Sequence, residues 1–133
     1  MGVIKIDNKT KGMINELNCI NAFIKLGYAV SIPYGDYCRY DFIVDINNKL
    51  YKVQCKSSSN KRVDKNIISF KCYSNLYTTK NSWQKKYTKE EIDYFATYYD
   101  GKCYLIPIED SSDRSTFNIN ITSDKYLINN MLP

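Results

Sequence analysis

The sequence predicts an α/β fold in which one N-terminal helix packs on a mixed β-sheet. Three observations predict this class. They are one helical repeat of apolar residues near the start, seven β-rich segments after it, and a chain of 133 residues with 44% hydrophobic and 25% charged residues. Such a chain can bury a core without disulfides. Because it holds no internal repeat and no Pro-rich linker, we predict a single domain over residues 1–133.

The N-terminal helix is predicted because apolar residues recur every three or four positions in the first part of the chain. Asn8 or Thr10 is suited to cap its start, and Gly27 is placed to end it. Glu16 shares the azimuth of the apolar stripe, so it needs a cation, a hydrogen-bonding partner or a place at the margin of the stripe. The stripe consists of Met13, Leu17, Ile20, Phe23 and Ile24.

The rest of the chain alternates between β-rich segments and turns. Asn47-Asn48 predicts a hairpin turn, and Asp100-Gly101 predicts a second turn. Residues 75–89 have no clear period and are predicted to form a long basic loop, which a short helical turn at residues 88–92 follows. The predicted strands are residues 28–33, 40–46, 50–57, 66–74, 94–99, 102–108 and 116–121.

Composition excludes several classes of chemistry. The chain has no histidine, which excludes Ser-His-Asp and Cys-His hydrolysis and His-ligated zinc. The charged amino end and the lack of a long apolar run predict a cytoplasmic protein that is neither secreted nor in a membrane. The cysteines form no CxxC pair, so we predict reduced thiols that pack in the core. They are Cys19, Cys38, Cys55, Cys72 and Cys103.

Positive charge is concentrated in one third of the chain. Residues 49–89 hold eleven Lys or Arg and one acid, whereas the remainder holds eight Lys or Arg and thirteen acids. The same segment carries six of the aromatic residues, and Lys interleaved with aromatics is suited to nucleic acid. A solvated basic face above core aromatics explains the pattern equally well, so the charge alone leaves both interpretations open.

Three polar residues stand in segments that are otherwise suited to burial. Asp41 begins a predicted strand, and strands are poor in acids. Gln54 and Lys56 are two residues apart on the partner strand, so they lie on one face while Tyr51, Val53 and Cys55 share the other face. Taken alone, this alternation is also typical of a half-exposed strand.

Together, the helix acid, the strand acid and Gln-x-Lys resemble the PD-(D/E)XK nuclease superfamily, with Gln54 in place of the second acid. The narrower resemblance is to its group I intron-associated homing endonucleases, which use this Gln-x-Lys variant. It implies a restriction-endonuclease-like core. The matching segments are Lys11-Gly12-x-x-x-Glu16-Leu17, Gly27-Tyr28-x-Val30-Ser31-x-Pro33, Arg39-Tyr40-Asp41, Leu50-Tyr51-Lys52-Val53-Gln54-Cys55-Lys56, Ile92-Asp93-Tyr94-Phe95 and Cys103-Tyr104-Leu105-Ile106-Pro107.

The resemblance implies a catalytic set of Glu16, Asp41, Gln54 and Lys56. Asp41, the side-chain carbonyl of Gln54 and the backbone carbonyl of Cys55 would bind Mg²⁺, with Mn²⁺ as a substitute, and Glu16 would orient water or join a second site. Lys56 would hold the attacking water or the scissile phosphate, and with a lowered pKa it would share the role of base.

Further residues are predicted to contact DNA. Arg39 would clamp a phosphate or pair with Asp41, and these alternatives stay open. Ser57 could donate to a phosphate. The basic residues Lys61, Arg62 and Lys65 follow the site directly and are suited to backbone contact. The remaining candidates are expected to reach base edges and are Trp83, Gln84, Lys85 and Lys86.

The sequence therefore leaves three functions open. The leading one is a Mg-dependent endonuclease that cuts duplex DNA at a specific site, as a homing enzyme does. The alternatives are a Holliday-junction resolvase and a non-catalytic nucleic-acid-binding module of the same fold. Cutting both strands with so small a chain implies a dimer or tetramer. We expect the protein in the cytoplasm or with the DNA of its host cell or organelle.

Overall fold

A five-stranded mixed sheet forms the centre of the computed structural model, which describes residues 4–133; the first three residues of the predicted domain lie outside this range. Its order is β1-β2-β3-β8-β9, with β3 and β8 parallel and the other pairs antiparallel. The predicted mixed sheet is thus confirmed. The strands are β1 (Ala29–Ser31), β2 (Phe42–Ile46), β3 (Lys49–Cys55), β4 (Ser59–Asn60), β5 (Ile67–Lys71), β6 (Tyr73–Tyr77), β7 (Ser82–Lys86), β8 (Tyr94–Tyr99), β9 (Lys102–Pro107) and β10 (Thr116–Asn120).

The predicted N-terminal helix is present as α1 (Asn8–Lys25) and packs on one face of this sheet. Its cap is Asp7, whose Oδ1 accepts a hydrogen bond from the backbone N–H of Thr10 at 2.8 Å, so the predicted cap at Asn8 or Thr10 is wrong. The carboxylate satisfies an N–H group that has no partner within the helix. Gly27, with φ of +90°, follows the end of the helix as predicted.

The predicted azimuth of the helix is partly wrong. Met13, Leu17 and Ile24 are 57%, 62% and 54% exposed, whereas Asn15 is buried in their place. Asn15 is buried because its Oδ1 accepts a hydrogen bond at 2.9 Å from the backbone N–H of Tyr98 on β8. A polar contact with the sheet therefore fixes the rotation of α1. The buried residues of the helix are Asn15, Cys19, Ile20 and Phe23.

The opposite face of the central sheet is covered by a second, three-stranded sheet of order β10-β5-β4. Ile68 and Phe70 of β5 and Phe117 of β10 pack there against Phe95 of β8 and Ile106 of β9. The part of the central sheet formed by β8 and β9 is therefore buried on both faces. A short α2 (Ile128–Met131) packs near β9, and its existence was not predicted.

The predicted long basic loop at residues 75–89 is wrong, because this segment forms most of an antiparallel hairpin of β6 and β7. Predicted strand 66–74 is accordingly two strands, β5 and the start of β6. Every residue of β7 is exposed, so neither face of the strand shows the apolar alternation from which a strand is recognised. The hairpin pairs Leu76 with Trp83 and Tyr73 with Lys86 across its strands.

Two smaller expectations have different outcomes. The turn at Asn47-Asn48 joins β2 to β3 with φ of +53° and +67°, as the two-residue hairpin signal predicts. Four cysteines are buried, but Cys38 is exposed on the segment before β2, so its predicted place in the core is wrong. Among residues 4–133, no helix has the length and apolar character needed to cross a bilayer.

Candidate active site

Asp41 lies directly before β2 and is held against β3 by its backbone and its side chain. Its N–H donates to the carbonyl of Val53 at 2.8 Å, and its Oδ2 accepts from the N–H of Cys55 at 2.8 Å. Burial raises the pKa of the Asp41 carboxyl, while the Cys55 N–H and the charge of Lys56 oppose the shift. The carboxylate is therefore fixed in position, and its charge is poorly hydrated.

Gln54 lies near the end of β3 and faces Asp41. One end of its amide lies 3.3 Å from Asp41 Oδ2 and 2.5 Å from the carbonyl oxygen of Arg39. The other end lies 3.3 Å from the carbonyl oxygen of Cys55 and 3.3 Å from the hydroxyl of Tyr87. Side-chain and backbone oxygens thus converge around Gln54.

Lys56 lies two residues along β3 on the same face as Gln54, as the spacing predicts. Its Nζ donates to the carbonyl of Tyr73 at 3.0 Å and lies 4.9 Å from the ring centroid of Tyr87. Burial is the main cause that lowers the pKa of Lys56, and the charge of Asp41 opposes this shift. The face of β3 that carries Gln54 and Lys56 is therefore partly covered by Tyr73 of β6 and by Tyr87.

Glu16 reaches the site from the helix side of the sheet. It is half-buried, and burial together with the charge of Asp41 raises its pKa. The structure places Glu16 at the margin of the buried helix face, which is one of the three solutions that the sequence left open.

Arg39 and Tyr87 join the hairpin to this site. The Arg39 guanidinium pairs with Glu91 at 2.9 Å and donates to the carbonyls of Lys85 and Lys86 at 3.0 and 2.7 Å. It also donates to Ser74 Oγ at 2.6 Å and lies 3.8 Å above the ring of Tyr87. The pair of Arg39 with Asp41, one of the two alternatives that the sequence left open, is not formed, because Arg39 pairs with Glu91 instead.

Tyr87 and Glu91 were missed as parts of the site by sequence reasoning. In the sequence, Tyr87 is only one of the six aromatics of the basic segment, and Glu91 falls within the helical turn predicted at residues 88–92. The turn exists, since the N–H groups of Glu91 and Ile92 donate to the carbonyl of Thr88 at 3.0 and 3.1 Å. No local pattern reveals that it brings an acid to Arg39, 52 residues earlier in the chain.

Comparison with known proteins agrees with this geometry. The family model for PD-(D/E)XK endonucleases matches residues 6–127. The chain belongs to this family. Among solved structures, the endonuclease is similar to the bacterial homing endonuclease I-Ssp6803I, with 26% identity and a TM-score of 0.76 over 86% of this chain and 78% of that one. A comparison with curated proteins gives no match.

Endonucleases of this family generally use divalent metal ions, and the donor set of this chain fits one. Asp41, Gln54 and the carbonyl of Cys55 offer only hard oxygen ligands, which Mg²⁺ prefers. The 3.3 Å between Asp41 Oδ2 and one end of the Gln54 amide would also let one ion contact both groups. Within residues 4–133 no group of three His, Cys, Asp or Glu side chains could hold a metal ion, so the set depends on Gln54 and the backbone.

The residues of the endonuclease that are predicted to contact DNA lie in four places. Ser57 is exposed just beyond β3. The exposed Arg62 and Lys65 and the half-buried Lys61 lie on the segment that joins β4 to β5. The remaining candidates, Trp83, Gln84, Lys85 and Lys86, are exposed on β7, where Lys85 Nζ also lies 3.9 Å from Glu91. Arg39 is held by internal partners.

Proposed function

We propose that this endonuclease is a metal-dependent enzyme that hydrolyses phosphodiester bonds in duplex DNA at a specific site, in the manner of a homing endonuclease. The observation that carries the proposal is that three groups converge at the end of β3. They are the hydrogen-bonded carboxylate of Asp41, the Gln54 amide and the half-buried Lys56. These are the residues that the Gln-x-Lys variant of the family motif requires.

Asp41, the Gln54 carbonyl and the Cys55 carbonyl would hold Mg²⁺, and Mn²⁺ would substitute for it. When bound, the ion neutralises charge that develops on the phosphate and on the leaving oxygen. Because Gln54 is neutral, this set carries one negative charge fewer than a pair of acids, which favours weaker metal affinity. Glu16 would orient a water or join a second metal site, since the charge of Asp41 already raises the pKa of its carboxyl.

Lys56 is the group that we propose acts on the attacking water. Burial lowers the pKa of Lys56 and so favours the neutral amine more than exposure to water would. A neutral amine can accept a proton. In the proposed step the water oxygen attacks phosphorus and its proton passes to Lys56 Nζ. The bond from phosphorus to the leaving oxygen breaks, and that oxygen keeps the electron pair and takes a proton from solvent. The carbonyl of Tyr73 and the ring of Tyr87 hold Nζ in position.

The surface beside Lys56 supports a DNA backbone as ligand. A groove of about 450 Å³ runs from Lys56 along β5 and β6. Hydroxyl donors and a second lysine are suited to phosphate oxygens, which provide much of the affinity for DNA. We propose that Arg62, Lys65 and Lys61 contact neighbouring phosphates and that β7 reads base edges. The polar residues of the groove are Lys56, Ser57, Ser59, Ser69, Lys71, Ser74, Asn75 and Thr116.

We further propose that the enzyme acts as a homo-oligomer, a dimer or tetramer, because one site cuts one strand and duplex cleavage needs a second, symmetric site. An exposed apolar stripe on α1 supports an interface with a second copy, since such patches mark association sites. Sedimentation equilibrium measures this state directly. The stripe consists of Met13, Ile14, Leu17 and Ile24.

One experiment separates this function from its alternatives. The protein is incubated with supercoiled plasmid, with random-sequence duplex and with a four-way junction, each with Mg²⁺ and with chelator. Cleavage of duplex only when Mg²⁺ is present supports the proposal, whereas preference for the junction indicates a resolvase. Binding without cleavage under every condition indicates a non-catalytic module. The proposed location, with the DNA of the host cell or organelle, follows from the substrate.

A further inference from the structure

The amide of Gln54 has different surroundings at its two ends. One end faces two acceptors, Asp41 Oδ2 at 3.3 Å and the Arg39 carbonyl at 2.5 Å. The other end faces the Cys55 carbonyl and the Tyr87 hydroxyl, each at 3.3 Å. Since an amide has one donating and one accepting end, its orientation decides which of these contacts are favourable.

A bound cation reverses the preferred orientation. Without an ion, the NH₂ group belongs beside Asp41 and Arg39, where it donates to both acceptors. With an ion on Asp41, the carbonyl oxygen of Gln54 must turn toward the ion, and the NH₂ group then points to Cys55 and Tyr87. The site therefore needs a partner for each orientation at the second end of the amide.

Tyr87 supplies that partner because a phenol hydroxyl both donates and accepts hydrogen bonds. Without an ion it donates to the oxygen of the Gln54 amide, and with an ion it accepts from the NH₂ group. The backbone carbonyl of Cys55 cannot replace it, because a carbonyl donates no hydrogen bond before the ion binds and is itself a proposed ligand of the ion afterwards. A phenylalanine at position 87 would keep the ring and would lose both hydrogen bonds.

Three neighbouring side chains pack against the ring that carries this hydroxyl. The Arg39 guanidinium lies 3.8 Å and the Lys56 ammonium 4.9 Å from the centroid of the Tyr87 ring. Its edge contacts Phe95 of the central sheet, with 5.4 Å between ring centroids and 87° between planes. Because the ring is already held in place, the side chain loses little further conformational freedom when the hydroxyl makes its hydrogen bond.

Resting on the proposed nuclease function, we infer that Tyr87 is a positioning residue for Gln54: its hydroxyl keeps the amide hydrogen-bonded both before and after a divalent ion binds to Asp41. Gln54 then differs from an acid in more than charge. It can donate to Asp41 while the site is empty, which an ionised Glu cannot do. The phenol of Tyr87 gives the Gln54 amide a hydrogen-bond partner in both orientations, so the amide can turn when the ion binds.

The test is calorimetric titration of Mn²⁺ and Mg²⁺ into the whole protein without DNA, for wild type, Tyr87→Phe and Tyr94→Phe. Tyr94 is the matched control, because it is also half-buried and packs on Tyr51 at the other face of the sheet. We expect Tyr87→Phe to bind the ion about 10-fold more weakly, as loss of a group that orients a metal ligand does. Its thermal unfolding and the KM for DNA should stay near the wild-type values while kcat falls.

Equal ion affinity in wild type and Tyr87→Phe would overturn the inference, provided that the wild type binds the ion. If the wild type itself binds no divalent ion, the proposed metal-dependent function fails first and is recognised separately. Should Tyr87→Phe not fold, the side-chain ¹⁵N–¹H₂ resonance of Gln54 in the wild type decides. A large shift on addition of a diamagnetic ion supports the turn of the amide, and an unmoved resonance overturns it.

Discussion

Lys56 and the lysines of β7 belong to the same basic third of the chain, yet the structure places them in opposite environments. Lys56 is half-buried between the Tyr73 carbonyl and the Tyr87 ring, and burial lowers its pKa. Lys85 and Lys86 lie on a strand that is exposed at every position. Net charge cannot distinguish the two. The difference teaches that a fixed lysine with a lowered pKa is suited to chemistry, and that exposed lysines are suited to phosphates.

The largest effect is expected from Lys56→Ala. Loss of the group that holds the attacking water should reduce the cleavage rate by at least about 100-fold, while thermal stability and DNA affinity stay largely intact. Single-turnover cleavage of plasmid DNA measures the rate. Lys102→Ala is the matched control, because Lys102 is an exposed lysine on β9. Near-normal cutting by the Lys56 variant would remove Lys56 from the active site.

Arg39→Lys should loosen the β6–β7 hairpin. A lysine cannot bind Glu91, Ser74 and two carbonyls at once, as the planar guanidinium does. Amide hydrogen exchange in β6 and β7 should accelerate by about 10-fold or more, the equivalent of one hydrogen bond to a charged group. Exchange in β8 and β9 should not change. Unaltered protection of the hairpin would show that its own strand pairing is sufficient.

Replacing Lys61, Arg62 and Lys65 together by Ala tests the exposed basic surface. Each lost phosphate contact should reduce the slope of log K against log salt by roughly 0.9, so the triple variant should lose about two to three units. All sequences should weaken to a similar extent, because phosphate contacts position without specifying. The control is Lys25→Ala with Lys102→Ala, outside the basic segment. An unchanged slope in the triple variant would place the DNA elsewhere.

The smallest effect concerns pH and the fold. Because burial raises the pKa of Asp41 in the folded state, protonated Asp41 favours folding, and this contribution is lost as pH rises through the raised pKa. Asp41→Asn should therefore be more stable than wild type at neutral pH in chelator. The difference should shrink as the pH falls through the raised pKa and should be smallest well below about pH 4, where the carboxyl is protonated in both states. Urea unfolding at several pH values measures it, and a less stable variant at neutral pH would contradict the argument.

Much of the fold could be predicted because its signals are local. The Asn47-Asn48 turn, α1 and the alternation on β3 that puts Gln54 and Lys56 on one face each depend on neighbouring residues. The rotation of α1 could not be predicted, since it depends on a hydrogen bond from Asn15 to Tyr98, 83 residues away. Apolar periodicity alone placed the exposed Leu17 in the core.

The residues of the candidate site also differ in whether the local sequence reveals them. Asp41 and Gln54 stand out because a polar residue in a buried segment needs a partner. Tyr87 and Glu91 stand out only when the hairpin is folded over β3, and the exposed β7 gives no strand signal. The Arg39 contacts join segments about 50 residues apart, and no residue pattern near Arg39 distinguishes Glu91 from Asp41 as its partner.

The central claim is that Asp41 holds the divalent ion on which cleavage depends. The most direct test measures Mg²⁺ binding by calorimetry, together with plasmid cleavage, for wild type, Asp41→Asn and Asp45→Asn. Asp45 is a half-buried acid of β2 and serves as the matched control. We predict that wild type and Asp45→Asn bind the ion and cut DNA, while Asp41→Asn binds the ion at least about 10-fold more weakly and does not cut. Equal ion binding by wild type and Asp41→Asn would show that Asp41 is a structural residue and would contradict the account.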